Sequence, residues 1–597
     1  MNSKTTGIWL VLAAALFGAV VAVRHYQHPV AAIAEVLPDL EPAKVSAIQI
    51  VPANTLEIRA ERTNQIWQLT KPMIYPAQPV AIGALLDALQ KLTPATRISA
   101  GELQNHQSVD AEFGFETPRF SIVIQSGETR RQLIVGNRTA PGDQVFLRVV
   151  GVEGAYVVDA AWLKYIPKAA SDWRSTALVA LDESGPDWII LTNTTKVIEL
   201  RRDPTNQLWR MLRPLPARAN AARITDLIER LRSARVNQFV TDDAGADLSA
   251  FGLRPADLSL RLGRDTNWLS VVSIGKSLTN DSSQVYARRD RLGAIVTTAK
   301  ESFAGWHGTV NDFRDPYLLE LTAPVAEIEV RGTANYTLQR GASNDWKVAA
   351  EKFPADAENI QAFIKWLANL RVSAFVKDVV TAPDWQTYGL AAPTQQIVLC
   401  SAVGDTNSII ASLAFGATQD GQVFVRRADE NFVYAVTAAE FNNLKALYGE
   451  SWEFRDRKIW NFSETNVAQI TLKQSGKTRV LVRTGENKWA LGAGSQGIIN
   501  PSAIEETTHR LGQMTTYYWA GRNVTDTEKF GLNPDNLQIT VELKTGEKLA
   551  VDFGAELPAA HTALAAVTLD GERWAFIFPP TLYQFVVTYL TIPPNTP

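Results

Sequence analysis

Cysteine is almost absent from this chain of 597 residues, which contains only Cys400. A single thiol can form neither an intramolecular disulfide nor, by itself, a thiolate metal site. Cys400 ends the apolar run Ile397-Val398-Leu399, so we expect a buried structural thiol rather than a reactive one. Stability must therefore come from hydrophobic cores, for which a hydrophobic fraction of 46% supplies ample material.

An excess of charge of one sign is also missing, because 59 basic residues are balanced by 62 acidic ones. The net charge of -3 excludes recognition of a partner by bulk charge and argues against nucleic acid. One local bias exists, since nine arginines lie between Arg201 and Arg235. Among them, Arg223, Arg230 and Arg232 fall opposite the apolar stripe of a predicted helix. They form either an ordinary solvated face or a basic face that docks an acidic partner or anionic lipid.

Motifs that carry catalysis or bind cofactors are lacking as well. After residue 30, no two histidines have the helical spacing of metal ligands. The nearest approach to a Gly-x-Ser-x-Gly elbow, at 494–497, has the wrong spacing, and no phosphate-binding glycine loop occurs. We therefore predict no catalytic residue, no cofactor and no metal site, and we expect that the protein is not an enzyme.

Long hydrophobic runs are lacking except at the N-terminus. Residues 7–23 are uncharged and nearly all apolar, and a helix of this length rises about 26 Å, close to the thickness of a hydrocarbon core. Trp9 and Tyr26 lie near its two ends, where aromatic rings favour the membrane interface. We predict one transmembrane anchor within residues 1–30, in the cytoplasmic membrane, with the bulk of the chain in the periplasm or outside the cell. A signal peptide cleaved after Ala32-Ile33-Ala34 is the alternative.

Three landmarks recur with one period along the rest of the chain. An aromatic-Gly-apolar step has its glycines 138, 137 and 142 residues apart. An upstream tryptophan and a downstream glycine repeat at similar intervals, so chance similarity is excluded. The step glycines are Gly114, Gly252, Gly389 and Gly531, the tryptophans are Trp67, Trp209, Trp346 and Trp489, and the downstream glycines are Gly136, Gly275, Gly416 and Gly554.

Each repeat reads as two β-hairpins with one helix between them. Period-two alternation around turn residues predicts the hairpins, and capped stripes such as Ile360, Phe363 and Leu367 after Asp356 predict the helix. We therefore expect an α+β fold: four tandem modules, each a mainly antiparallel sheet with a packed helix, behind one transmembrane helix. The modules are predicted at 45–176, 186–316, 324–457 and 466–592. Each of the first three ends in an aromatic-Arg pair that could bind a partner's carboxylate, although we expect it to fix the module to its linker: Trp173-Arg174, Phe313-Arg314 and Phe454-Arg455.

Taken together, these landmarks resemble a bacterial domain of unknown function, number 4340, which occurs in tandem behind an N-terminal hydrophobic helix. The likeness extends over nearly the whole chain after residue 45. The fourth copy departs from it, with Thr507 and Thr508 in the helix stripe and no aromatic-x-Arg strand like Phe146-Leu147-Arg148. The resemblance brings no established activity. It implies that the protein works alongside an ABC-type export or gliding-associated permease system.

The function expected from these features is that of a membrane-anchored extracytoplasmic scaffold or binding protein of the bacterial envelope, with a protein partner in the membrane or envelope. One alternative is a glycan hydrolase, because acidic residues precede each aromatic-glycine step. We expect turn and cap roles for them instead. A second alternative is a polysaccharide-binding array of exposed tryptophans, although we expect the four periodic ones in the cores. The acidic residues are Asp110, Glu112, Asp243, Asp247, Asp378, Asp384, Asp526 and Glu528.

Overall fold

The structure, a computed structural model, describes residues 14–17, 35–53, 56–105, 112–289, 292–333, 335–341, 343, 345–403 and 406–591. The predicted anchor lies outside these ranges, apart from a helical stretch at 14–17. Among the residues described, no helix combines the length and apolarity that crossing a membrane requires. The chain divides into two compact units, residues 1–314 and 315–597, and each contains two large sheets.

Unit 1 contains the sheets of modules 1 and 2, each of nine strands. The first sheet comprises β1 (Val45–Pro52), β2 (Ile58–Thr63), β3 (Ile66–Lys71), β4 (Tyr75–Pro76), β5 (Pro94–Ile98), β6 (Phe120–Ser126), β7 (Thr129–Arg138), β8 (Gln144–Val149) and β9 (Ala155–Asp159). The second comprises β10 (Trp188–Thr192), β11 (Val197–Arg202), β12 (Trp209–Arg213), β13 (Ala217–Arg218), β14 (Val236–Thr241), β15 (Leu258–Arg264), β16 (Asn267–Ser277), β17 (Gln284–Arg289) and β18 (Ile295–Ala299).

Unit 2 contains the sheets of modules 3 and 4, each of eight strands. The third sheet comprises β19 (Glu327–Gly332), β20 (Tyr336–Arg340), β21 (Trp346–Val348), β22 (Ala374–Lys377), β23 (Gln395–Val403), β24 (Thr406–Gln419), β25 (Gln422–Arg427) and β26 (Val433–Thr437). The fourth comprises β27 (Val467–Gln474), β28 (Lys477–Gly485), β29 (Lys488–Leu491), β30 (Trp519–Arg522), β31 (Gln538–Leu543), β32 (Lys548–Leu557), β33 (Thr562–Leu569) and β34 (Glu572–Ile577).

All four sheets have the same strand order. In module 1 it is β4-β3-β2-β1-β6-β7-β8-β9-β5, and modules 2 to 4 repeat it, with the two-residue first strand missing from the described parts of modules 3 and 4. The pairs are antiparallel, as β1 with β6 and β27 with β31 illustrate. The prediction of one module written four times in mainly antiparallel sheets is therefore confirmed, and the content is mainly β with a few helices.

One principal helix per module follows the first hairpin. These helices are α1 (Pro79–Gln90), α3 (Ala221–Ser233), α4 (Ala357–Ala368) and α7 (Pro501–Gly512); shorter ones are α2 (Ala100–Asn105), α5 (Ala382–Thr387), α6 (Ala438–Tyr448) and α8 (Pro580–Phe585). The predicted cap of α4 is confirmed, because the Asp356 carboxylate accepts from the Asn359 amide. In α7, Thr507 and Thr508 are buried and donate their hydroxyls to the carbonyls four residues earlier.

Candidate functional site

The four periodic tryptophans lie in the module cores. Trp67, Trp209, Trp346 and Trp489 are between 5% and 6% exposed. Each begins a strand or lies one residue inside it, on the second arm of the first hairpin. Our prediction of a packing role is confirmed, and these four rings offer no exposed face on which a sugar could stack.

The aromatic-glycine step and the downstream glycine meet in a close backbone contact that leaves no room for a side chain. In module 2, a Cβ on Gly275 would overlap the carbonyl oxygen of Phe251, and the corresponding atoms approach equally closely in the other three modules. Gly252 itself has a φ of 67°, which a side chain disfavours. These repeated glycines therefore let the loop seat against strand β16 and its counterparts, which is a folding role.

The acidic residues before the step have turn and cap roles wherever their contacts are described. Asp247 accepts from the Ser249 amide at the start of a short 3-10 helix, and Asp384 accepts from the Thr381 amide while pairing with Lys377 at 2.6 Å. Asp243 and Asp526 likewise accept from backbone amides in turns. Asp110 lies outside the described residues.

The first aromatic-Arg pair forms the joint between modules 1 and 2. Arg174 is 2% exposed, and its two Nη atoms donate to the Asp242 carboxylate of module 2 at 3.0 and 2.7 Å. Its guanidinium also lies 4.2 Å from the ring centre of Tyr75 in module 1 and 3.8 Å from that of Phe239 in module 2. The cation is thus held between one ring from each module.

Backbone hydrogen bonds close the same joint just after Arg174. The Leu178 amide donates to the Ala234 carbonyl at 3.1 Å, and the Val236 amide donates to the Thr176 carbonyl at 2.7 Å. The apolar core is continuous across the two modules, running from Val36 to Phe313. Modules 1 and 2 therefore behave as one packed body rather than as beads on a flexible linker.

Unit 2 repeats this joint between modules 3 and 4. Arg455 is 5% exposed, pairs with Asp570 of module 4 at 2.7 Å, and lies 4.5 Å from the ring centre of Trp574. A second arginine, Arg522, bridges Glu351 of module 3 and Glu572 of module 4, and these hydrogen bonds raise its pKa. We expected the aromatic-Arg pairs to fix each module to its linker. In both units the guanidinium reaches further, into the following module.

The predicted basic face on α3 is largely engaged within its own module. Arg223 donates to the Gly305 carbonyl at 2.8 Å and lies over the Phe313 ring. Arg230 pairs with Asp226 at 2.8 Å, and Arg232 pairs with Glu229 at 2.6 Å. Arg230 remains the most exposed of the three. A docking role for this face stays a prediction.

A cavity of about 740 Å³ lies in module 4, among the β27-β28 hairpin, the aromatic-glycine loop and α8. Module 2 has a smaller cavity, of about 430 Å³, at the equivalent place. Gly531, Gly554 and Tyr583 line the first, and their counterparts Gly252, Gly275 and Phe303 line the second. Modules 2 and 4 thus share a cavity at the same place in the fold, and it is larger in module 4.

The buried arginine Arg479 borders the module 4 cavity. Its Nη1 donates to the Thr591 carbonyl at 2.6 Å and its Nη2 to the Ile498 carbonyl at 2.8 Å. Burial lowers its pKa, as expected for a cation removed from water. The carboxylates of Asp535 and Glu556 also line the cavity, but both are exposed.

The sheet of module 2 carries the other notable surface. Trp188 and Trp268 stack with ring centres 4.3 Å apart, and both rings are partly exposed. Arg201 lies 5.6 Å from the first ring and Arg261 4.2 Å from the second. A side chain at Gly263 would meet both rings, so the glycine makes room for the stack.

The comparison with protein families matches one model, described as a domain of unknown function (DUF4340), to residues 67–208, 209–378 and 346–536. Together these segments span well over half of the chain. The chain belongs to the DUF4340 family. A comparison with curated proteins finds no match.

Each DUF4340 match begins at a periodic tryptophan, namely Trp67, Trp209 or Trp346. The family is therefore present in tandem copies, as the sequence landmarks indicated. Two features of the DUF4340 modules were missed by sequence reasoning, the Arg479 cavity and the Trp188-Trp268 stack. The first gave no signal, because alternation along β28 favours the apolar Val480 and Val482, rather than Arg479, as the inward-facing side chains. The second gave none either, because no period marks it.

Proposed function

We propose that this DUF4340 protein is a non-catalytic scaffold or binding protein of the bacterial envelope. In this proposal the N-terminal segment anchors it in the cytoplasmic membrane, and the modules lie outside the cytoplasm as an accessory to an ABC-type transport or gliding-associated complex. The observation that carries the proposal is the paired joint: Arg174 and Arg455 each bind the following module. The side chains that the repeat shares thus hold modules together.

Rigid joints suit a scaffold for a physical reason. Modules on loose linkers would lose conformational freedom whenever they engaged a large partner, and that loss weakens binding. A joint with a buried arginine in an ion pair, aromatic rings and a continuous core has already ordered the two modules before binding. Repetition then multiplies the surface that is presented in a fixed geometry.

Cysteine accessibility tests the location of the modules. Cys400 is buried, so a C400A chain with one new cysteine at the exposed Asp265 gives a site-specific label. In intact spheroplasts, a membrane-impermeant maleimide should label this cysteine as fully as after lysis. The matched control carries a cysteine at the buried Leu260, which should stay unlabelled in both samples. Labelling at Asp265 only after lysis would refute an extracytoplasmic location.

Crosslinking in native membranes tests the partner. A photoreactive residue at Arg230, on the basic face, should capture a membrane transport component, whereas one at Lys445 in module 3 serves as a matched exposed site. Reversal of charge at Arg230 and Arg232 to glutamate should reduce capture if the basic face docks the partner. A chain that crosslinks only to itself or to lipid from every exposed position contradicts the scaffold proposal.

The polysaccharide-binding alternative is best supported by the Trp188-Trp268 stack. Aromatic rings beside arginines suit an acidic glycan, whose rings contact tryptophan while its carboxylates pair with guanidinium groups. Substitution of Trp268 by alanine should then abolish retention on an acidic polysaccharide, with Trp209→Phe in the core as the control. Equal retention of both variants removes this alternative.

The hydrolase alternative depends on Asp535 and Glu556, the two carboxylates of the module 4 cavity. A glycosidase needs one protonated acid, which enzymes obtain by burying it. Both groups are exposed at the cavity mouth, so the geometry favours this alternative less than the scaffold. The hydrolase alternative would be supported if the wild-type chain released reducing sugar from envelope glycan and the D535N and E556Q variants did not.

A further inference from the structure

The fourth module breaks the repeat at one buried position. Strand pairing aligns Arg479, which faces Leu472, with Ile58, Ile198 and Tyr336 of the other modules, which face Ile50, Leu191 and Val330. All four side chains are at most 6% exposed. Module 4 therefore places a cation where the fold otherwise accepts an apolar or aromatic side chain.

No carboxylate among the residues that the structure describes neutralises the charge of Arg479. A guanidinium has five N–H donors, and two of them serve the Thr591 and Ile498 carbonyls. Its Nε has no acceptor among these residues, and burial rather than a nearby carboxylate accounts for its lowered pKa. Neutral carbonyls satisfy donors without cancelling the charge, so the burial of this cation remains unfavourable until an anion pairs with it.

The cavity beside Arg479 combines this charge with apolar walls. Leu537, Phe553 and Ala563 are buried side chains that line it. Lys477 lies two residues before Arg479 on the same strand and face, and it is exposed at the mouth. A volume of about 740 Å³ lies within the range of sites that hold small ligands.

We propose that the module 4 cavity binds an amphipathic anion, whose carboxylate or phosphate pairs with Arg479 and whose apolar body lies along Leu537, Phe553 and Ala563. The anionic group of the ligand pairs with a guanidinium that no described carboxylate neutralises. The exposed carboxylates of Asp535 and Glu556 repel an anion from the mouth and so favour the deep position. This inference is independent of the scaffold role.

The simpler reading gives Arg479 only a clamping role between the Thr591 and Ile498 carbonyls. That role makes no use of a ligand, so binding measurements separate the two readings. Calorimetric titration of the purified full-length chain uses four probes: octanoate, octyl phosphate, 1-octanol and inorganic phosphate. Octanoate and octyl phosphate should each bind one site at least about tenfold more tightly than the other two probes, a difference well within the reach of one charge-assisted pair.

Two variants locate the site. R479I introduces the residue that module 2 carries, and it should weaken octanoate about tenfold or more while leaving 1-octanol unchanged. A555W narrows the mouth without touching Arg479 and should weaken octanoate and octyl phosphate alike. R261M on the sheet of module 2 is the matched arginine control and should bind as the wild type does.

Several outcomes overturn the proposal. One is 1-octanol binding as tightly as octanoate, and another is inorganic phosphate binding as tightly as octyl phosphate, which would indicate a free anion rather than an amphiphile. A third is octanoate binding that is undiminished in R479I, provided that circular dichroism shows this variant to be folded. If R479I does not fold, A555W decides, and unchanged octanoate affinity in that variant overturns the proposal.

Discussion

Replacement of Arg174 by methionine removes the cation at the joint between modules 1 and 2 while keeping an apolar stem of similar length. The change deletes two charge-assisted hydrogen bonds to Asp242 and two ring contacts. The arginine side chain is 3% exposed but that of Asp242 is 44% exposed, so the orphaned carboxylate regains water. Breaking a fully buried ion pair costs about 3–5 kcal/mol of stability. Because Asp242 is half-exposed, we expect R174M to destabilise the joint by about 2–3 kcal/mol.

Hydrogen exchange of the full-length chain, read by mass spectrometry, measures this loss at the joint itself. The Leu178 and Val236 amides cross between the modules, and a loss of about 2–3 kcal/mol corresponds to roughly 30- to 150-fold faster exchange through opening of the joint. R201M on the exposed face of module 2 is the matched control and should change these rates less than about twofold. A double-mutant cycle with D242N should show coupling of about 1–2 kcal/mol between the two side chains. Unchanged exchange in a folded R174M chain would refute the reasoning.

Three further predictions concern single sites. Burial raises the pKa of Glu453 to about 7, so the neutral carboxyl favours the folded state. This stabilisation is complete below about pH 4.5 and is lost as pH rises through 7, which lowers the free energy of unfolding by about 1–2 kcal/mol after discounting for partial exposure. E453Q should therefore reduce the difference between the urea midpoints measured at pH 5 and pH 8. G275A should cost at least about 2 kcal/mol in urea denaturation, whereas G83A, in an open position on α1, should stabilise by about 0.5–1 kcal/mol; equal effects would contradict the steric account. Burial also raises the pKa of the Cys400 thiol, so a maleimide should react with it rapidly in urea and slowly in the native chain, and equal rates would contradict its burial.

The repeat period was sufficient to predict most of the fold. A tryptophan, an aromatic-glycine step and a closing glycine each mark a steric requirement that the module cannot relax, so they recur where the backbone recurs. The core positions of Trp67 and Gly275 follow from this, and the cap at Asp356 follows from local hydrogen bonding. Such features are local or repeated, and a single sequence displays both.

The joints and the cavity could not be predicted in the same way. Arg479, Leu481 and Arg483 lie on one face of β28 and point inward, while the apolar Val480 and Val482 take the other face. Alternation alone would suggest the opposite orientation, because burial of arginine depends on partners that are distant in sequence. Arg483, for example, is paired with Glu505 of α7. Likewise, no feature of the sequence around Arg174 predicts its ion pair with Asp242, because the two residues meet only when two modules pack together.

Cooperativity within unit 1 tests most directly the claim that the repeated residues bind modules into one body. Native-state hydrogen exchange under increasing urea gives an opening free energy for the slowest amides of β1 in module 1 and of β10 in module 2. We predict that the two sets merge into one unfolding event, with free energies equal within about 0.5 kcal/mol, and that R174M separates them. Two wild-type values that differ by more than about 2 kcal/mol would contradict the account, because the modules would then unfold independently.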